Sequence, residues 1–422
     1  MKALLRTYGV WIAAAITFAV LPLIFTSGFA LTLLCKMGVL IIFAIAYNML
    51  LGQGGMLSFG HAIYFGLGGY VSIHILNGMA DGGDLPYFPV SLFPVIGALV
   101  GLLMGIAIGY VSTRRAGTTF AMISLGFGAM VTAMTLIFVA FFNGEDGIQA
   151  DRWVGPEPLG ITYGPQIQVY YLIAVWCFVC MVAMYALTKT PFGRMSNAVR
   201  DNPERAEFVG YNTQRVRWLA FSLSAMFAGA AGSLHALNYE NIGFESVSAI
   251  QSGAVLFMVY IGGVGHFLGP IIGTLLLVFL DSVLSDLTEA WLLYLGVVFV
   301  IIVMFAPCGL AGLIVMHEPV WRTDIRLLWK LAGPYFLAIV STIIAAIGIV
   351  GFIEIVYFIT IIAIGRVDMH LYGIPVNINE ITPWLACLAI TVVGVLGCRA
   401  TYPRAVESWN DAMVAVKTRI AG

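Results

Sequence analysis

The chain is a succession of apolar runs separated by short polar segments. The runs fall at 9–31, 33–51, 56–76, 89–110, 118–142, 167–188, 217–237, 249–264, 267–285, 290–306, 334–363 and 381–398, most of them near the ~20 residues that cover a hydrocarbon core. The pattern predicts an all-α, polytopic membrane helical bundle with about 10 core spans, open to an inverted-repeat arrangement, and about 2 further C-terminal spans. Lys2 and Arg6 precede the first run and the small residues Ser27, Gly28 and Ala30 follow it, as in a signal peptide. The run is longer than the apolar stretch of such peptides, so it reads as a span. The 249–264 run is short and ends in glycine, which predicts a partial or broken helix.

Composition excludes the soluble classes. Apolar residues make up 61% of the chain and charged residues only 10%, against about 25% charged in soluble domains. The net charge is −1 and there is no basic run, so nucleic acid is not an expected partner. The six cysteines lie in or beside apolar runs and read as small core residues; Cys177 and Cys180, although spaced as a C-x-x-C pair, fall inside a long apolar segment. The charges that remain are distributed unevenly. Counted in alternate loops, 17 of the 20 basic residues share one side and only Lys36, Arg152 and Arg366 lie on the other, with 13 of the 21 acids. Basic loops stay in the cytoplasm, which predicts that both termini are cytoplasmic and that 249–264 counts as a crossing.

Familiar catalytic patterns are missing. There is no phosphate-binding G-x-x-x-x-G-K-[ST] loop, H-E-x-x-H helix or G-x-S-x-G elbow, so no enzyme is expected and no metal site is assigned. Glu354 is the one carboxylate deep inside an apolar run, Asp281 lying four residues from the end of its own, and the length of the Glu354 run allows it to sit at the outer interface. No series of buried acids and bases suggests a proton relay or voltage sensor.

Two features stand out instead. The long internal loop contains Arg200-Asp-Asn-Pro-Glu-Arg-Ala-Glu-Phe-Val-Gly-Tyr-Asn212. Asn202 is suited to cap a helix, Pro203 to open it, Glu204 to its positive end and Gly210 to end it in a left-handed turn. A helix of about two turns over 203–209 follows, with Ala206, Val209 and Gly210 at neighbouring positions of one face. Such a helix is marginal alone, so it either docks on something or is an ordinary solvated loop helix. The second feature is glycine interruption. Gln53, Gly54, Gly55, Ser58, Gly60 and His61 break one apolar run, and Gly262, Gly263 and Gly265 break another. Unwound backbone at membrane depth is tolerated where it lines a cavity or is buried in protein, and paired breaks point to a translocation pathway. The alternative is close helix packing, as in Gly101-x3-Gly105-x3-Gly109 and Gly265-x3-Gly269-x3-Gly273. His61 and His266 read as hydrogen-bonded packing residues.

Gly52-Gln-Gly-Gly-Met-Leu-Ser-Phe-Gly-His61, the Arg200-Asp-Asn-Pro-Glu-Arg-Ala206 loop and Ala254 to Gly273, with Tyr260-Ile-Gly-Gly-Val-Gly265, together resemble the inner-membrane permeases of branched-chain amino-acid ABC importers, of the LivM type. The resemblance covers about 35–315. It implies a bacterial inner-membrane complex with a second, homologous permease subunit, two cytoplasmic ABC ATPase subunits that use ATP and Mg²⁺, and a periplasmic substrate-binding protein. This chain itself would bind no cofactor, and membrane lipid would surround it. The resemblance also implies that Arg200, Asp201, Asn202, Pro203, Glu204, Arg205, Ala206, Val209, Gly210 and Asn212 form the coupling region to the ATPase. The expected organisation is an N-terminal span at 1–32, a permease core at 33–315 holding the coupling loop 189–216, and a C-terminal membrane extension and tail at 331–422. That extension departs from the common permease core. Urea and short-chain amide importers have similar permeases, and a secondary transporter or channel working without ATP is the reading from another class.

Overall fold

A computed structural model describes residues 2–80, 85–153, 161–306, 308–323, 325–362, 368–377 and 380–421. Asp81, Asp84, Glu157 and Arg366, counted above for orientation, lie outside the described residues. The elements are α1 (Lys2–Ile24), α2 (Gly28–Asn48), α3 (Ala62–Met79), α4 (Phe93–Ser112), α5 (Thr118–Ile137), α6 (Val139–Phe142), β1 (Ile148–Gln149), α7 (Gln166–Lys189), α8 (Pro191–Asp201), α9 (Pro203–Phe208), α10 (Thr213–Tyr239), β2 (Asn241–Ile242), α11 (Ala249–Gly262), α12 (Gly269–Leu287), α13 (Trp291–Phe305), α14 (Gly309–Met316), α15 (Glu318–Thr323), α16 (Ile325–Tyr357), β3 (Asp368–Leu371), β4 (Ile374–Asn377) and α17 (Ile381–Ala421).

The polytopic helical class is observed. Eight helices among the described residues are long and apolar enough to cross a membrane, and the apolar helices Gly9–Ile24 and Ala249–Gly262 are shorter. Several apolar runs do not map onto one helix each. The first breaks at Phe25–Ser27, where Ser27 caps α2. The 56–76 run becomes helical only at Ala62, because Gly54–His61 leaves the helix. The 118–142 run breaks at Phe138. At 14 residues, α11 is short for a span: it rises ~21 Å against a core of ~30 Å.

The chain divides into two compact units. The first, Met1–Leu287 with Leu295–Gly312, centres on α2, α3 and α10, whose buried residues form one core with those of α7 and α11. The glycine row of α4 lets it lie on α10: an added Cβ at Gly105 would come 2.7 Å from the Ala225 Cβ, and those at Gly97 and Gly101 would run into the backbone at Gly229 and Ala225. Small residues thus replace side-chain interdigitation with close backbone approach.

Loops group at the two ends of this unit. At one end the 189–212 loop, the break after α2 and the break after α11 touch one another. At the other, β1 pairs antiparallel with β2, Ile148 opposite Ile242, and Asn77 Nδ2 donates to the Gln149 carbonyl at 3.0 Å. Arg152 is buried there, donating to the carbonyls of Tyr163 at 2.6 Å, Gly164 at 3.0 Å and Leu237 and Asn238 at 3.2 Å, with Glu240 Oε1 at 3.6 Å. A guanidinium at the C-terminal end of α10 satisfies carbonyls that the helix leaves open.

The second unit, Thr288–Tyr294 with Leu313–Gly422, is built on α16 and α17, packed antiparallel through Gly348, Gly394 and Gly397. The β3–β4 hairpin joins them, turning at Tyr372 and Gly373, both at positive φ. Glu354 accepts from Thr288 Oγ1 and Tyr294 Oη, each at 2.7 Å. Two hydroxyl donors account for a carboxylate in an apolar helix.

Candidate functional site

The 190–213 segment is written residue by residue as two capped helices. Thr190 caps α8 with Pro191 at its first position. Asn202 Oδ1 accepts from Arg205 N at 2.9 Å to cap α9, with Pro203 first and Glu204 in the first turn. Gly210, at φ +95°, ends it. Gly210 N donates to the Glu207 carbonyl at 2.8 Å and Tyr211 N to Ala206 at 3.1 Å, the paired bonds of a left-handed helix stop. Asn212 Oδ1 then accepts from Arg215 N at 2.9 Å to start α10.

One expectation needs correction. Ala206 is only 6% exposed and packs on Val199 and Val216, so it holds α9 to α8 and α10 and faces no external groove. The apolar side chains left open are Phe208, 92% exposed, Val209, 71%, and Tyr211. Arg205, Glu204 and Asn202 are exposed, Asp201 also.

Arg200 ties this loop to the first glycine break. After Asn48 the chain makes a single π-helical turn, Met49–Gln53. Gly54 N and Gly55 N reach back to Leu50 and Leu51 at 3.1 and 3.0 Å, and the Gly52 carbonyl accepts from Arg200 Nη1. Asp201 Oδ1 lies 2.8 Å from Arg200 Nη2 and orients the guanidinium. Gly55, at φ +65°, lies against the stem: an added Cβ would come 2.6 Å from Arg200 Cγ. A side chain there meets both a disfavoured backbone conformation and a filled space.

The second break joins the same place through Asn48, which is 5% exposed. Its Oδ1 accepts from Gly265 N at 3.1 Å and its Nδ2 donates to the His266 carbonyl at 3.2 Å. An added Cβ on Gly52 would come 2.8 Å from Gly265 N. The arrangement therefore runs from α8 through Arg200 to the π turn, and through Asn48 to the end of α11. Sequence reasoning missed Asn48; the signal was a lone amide in an apolar run four residues before the first glycine.

The other sequence-selected residues divide. Gln53 is half-buried, while Gly55 and Gly265 are exposed beside it. Gly60 is buried against the α5 backbone at Ser124, whose Oγ accepts from Phe59 N at 3.0 Å. Gly262 packs against Gly269 and Gly273, and Gly263, at φ +117°, against Cys308 and Gly309. Gly54 and Ser58 are buried as well, the Ser58 carbonyl accepting from Tyr47 Oη at 2.8 Å. In this chain Gly60, Gly262 and Gly263 are thus close-packing residues, with no open space beside them. His61 is fully buried among Phe43, Tyr47, Tyr64 and Phe221. Ser224 Oγ donates to the Ala46 carbonyl at 2.6 Å and lies 2.9 Å from His61 Nε2, which assigns the imidazole proton to Nε2.

The chain is a polytopic helical membrane protein in which two interrupted helices meet under a capped polar loop. More particularly, the chain belongs to the family described as the permease component of the branched-chain amino acid transport system, whose pattern matches residues 29–307. It is 26% identical over 295 residues, 64% of this chain and 67% of the relative, to the high-affinity branched-chain amino acid transport system permease protein LivM of Escherichia coli K12. It is 27% identical over 285 residues, 64% of this chain and 90% of the relative, to the corresponding LivH protein of Salmonella typhimurium. The galactose/methyl galactoside import permease protein MglC of Escherichia coli K12 is 27% identical over 245 residues, 54% of this chain and 70% of that protein. No solved structure matches.

Proposed function

We propose that the chain is the membrane-spanning permease subunit of a binding-protein-dependent ABC importer that carries branched-chain or related amino acids into the cytoplasm across a bacterial inner membrane. Family membership supports the permease role, and the two LivM and LivH relatives support the substrate class. The basic-residue distribution supports cytoplasmic termini. On this reading a second, homologous permease forms the other wall of the pathway, a periplasmic protein delivers substrate, and two ATPase subunits hydrolyse ATP with Mg²⁺.

The observation that carries the reading is the family match over residues 29–307, and the Arg200 bond to the Gly52 carbonyl supports a route by which the loop is coupled to the interrupted helices. An ATPase gripping Phe208, Val209 and Tyr211 moves α9 and α8 as one piece, because Val199, Ala206 and Val216 pack them together. Arg200 passes that displacement to the π turn, where the helix is already broken, and Asn48 passes it to Gly265 and His266. Hydrogen bonds to charged groups contribute about 1.5–3 kcal/mol each, enough to bias an element with two arrangements.

Reconstitution tests this function. Vesicles holding the chain with its permease partner, ATPases and binding protein should accumulate leucine, isoleucine or valine only with ATP inside the accessible compartment. Accumulation that favours urea, acetamide or galactose would replace the substrate class. Equal uptake without the ATPases would replace the mechanism with an ATP-independent one.

A further inference from the structure

At one end of the second unit α16 and α17 leave a groove of about 420 Å³ lined by Gly333, Pro334, Phe336, Leu337, Thr401 and Arg404. Its floor is apolar and open: Phe336 is 66% and Leu337 50% exposed, and nothing lies within 4 Å of where a Gly333 Cβ would be. Two cations stand beside it. The stem of Arg404 is part of its lining, and Lys330, which is exposed, stands one turn before Gly333 and Pro334 on the same face of α16. The ion pairs among the described residues are Lys36 with Asp281, Arg152 with Glu240 and Arg200 with Asp201, so neither of the two cations is paired. Glu407, one turn beyond Arg404, makes no ion pair with it. Trp329, one turn before Gly333, and Tyr402, next to Thr401, are both exposed, as aromatic rings are at the edge of a bilayer.

We propose that this groove binds the phosphate-bearing headgroup of an anionic phospholipid, with Lys330 and Arg404 on the phosphate and an acyl chain along Phe336 and Leu337. Unpaired cations above an apolar floor, at the depth where two long apolar helices become polar, match a charged head joined to a hydrocarbon tail. A free anion would leave the floor without a use. The inference needs only that α16 and α17 cross the bilayer and does not depend on the transported substrate.

Native mass spectrometry of the full chain, purified in detergent and titrated with phosphatidylglycerol or phosphatidylcholine, tests it. Phosphatidylglycerol should be retained preferentially, and Lys330→Ala and Arg404→Ala should each weaken retention about fivefold, since one cation near a headgroup is worth about a factor of five. The charge-conserving pair Lys330→Arg with Arg404→Lys should keep it, as should the distant Lys417→Ala. Equal retention of phosphatidylcholine, displacement by inorganic phosphate, or undiminished binding in the double alanine variant would each overturn the proposal. Retention lost in the charge-conserving pair as well would assign the effect to folding and also overturn it.

Discussion

Arg152 shows how much one side chain can hold. Its guanidinium closes the C-terminal end of α10 and fastens the segment before α7 to it, through four backbone carbonyls and Glu240. Arg152→Met keeps the stem but leaves those acceptors without a donor. Removing one partner from a buried charged network costs about 3 kcal/mol, so the variant should melt well below the parent in a detergent thermal-denaturation assay; an unchanged midpoint would show that water replaces the guanidinium. The sequence offered little warning, since a lone arginine in a loop between apolar runs looks like a solvated charge. Gly60 is the converse case: its spacing suggested a pathway, and only the α5 backbone beside it, contributed from some 65 residues away, identifies a packing position.

At the scale of elements, α9 was the most legible part of the site. Asn202, Pro203, Glu204 and Gly210 are local signals, and the structure uses the asparagine as a cap and the glycine as a stop. Its buried face was not legible, because Ala206 packs on Val199 and Val216 from two other helices. The outward face is Phe208 and Val209 instead. Val209→Glu together with Phe208→Ser should leave the chain inserted and folded while stimulation of the ATPase by loaded binding protein falls about tenfold or more, the size of effect expected when apolar residues at the centre of an interface are lost. Normal stimulation in that double variant would place the docking surface elsewhere. The α11 break was likewise readable from its glycines, whereas its link to α2 through Asn48 is a tertiary hydrogen bond with no local signature.

For the whole molecule, twelve apolar runs gave the fold class but not the helix boundaries, since hydropathy cannot see the π turn after Asn48 or the break at Phe138. The alternation of loops was more informative. Counting 249–264 as a crossing puts 51–56, 189–216 and 264–267 on one side, and these are the segments that Arg200 and Asn48 tie together; the 148–152 and 238–242 segments meet at the other end. Which end faces the cytoplasm rests on charge. Cysteine placed at Asp151 in a cysteine-free chain should react with an impermeant thiol reagent from outside intact cells, and cysteine placed at Arg205 should not; the reverse pattern would invert the orientation.

On the proposed function, motion of the 190–212 loop reaches the interrupted helices through Arg200. The most direct measurement is the amount of amino acid taken up per ATP hydrolysed by the complete reconstituted complex carrying Arg200→Gln. Glutamine removes the charge and the reach to the Gly52 carbonyl but leaves Phe208, Val209 and Tyr211 in place. The complex should assemble and still hydrolyse ATP in response to the binding protein while uptake per ATP falls tenfold or more, the equivalent of losing one charge-assisted bond of about 1.5–3 kcal/mol. Uptake per ATP equal to the parent's, with the complex intact, would contradict that route.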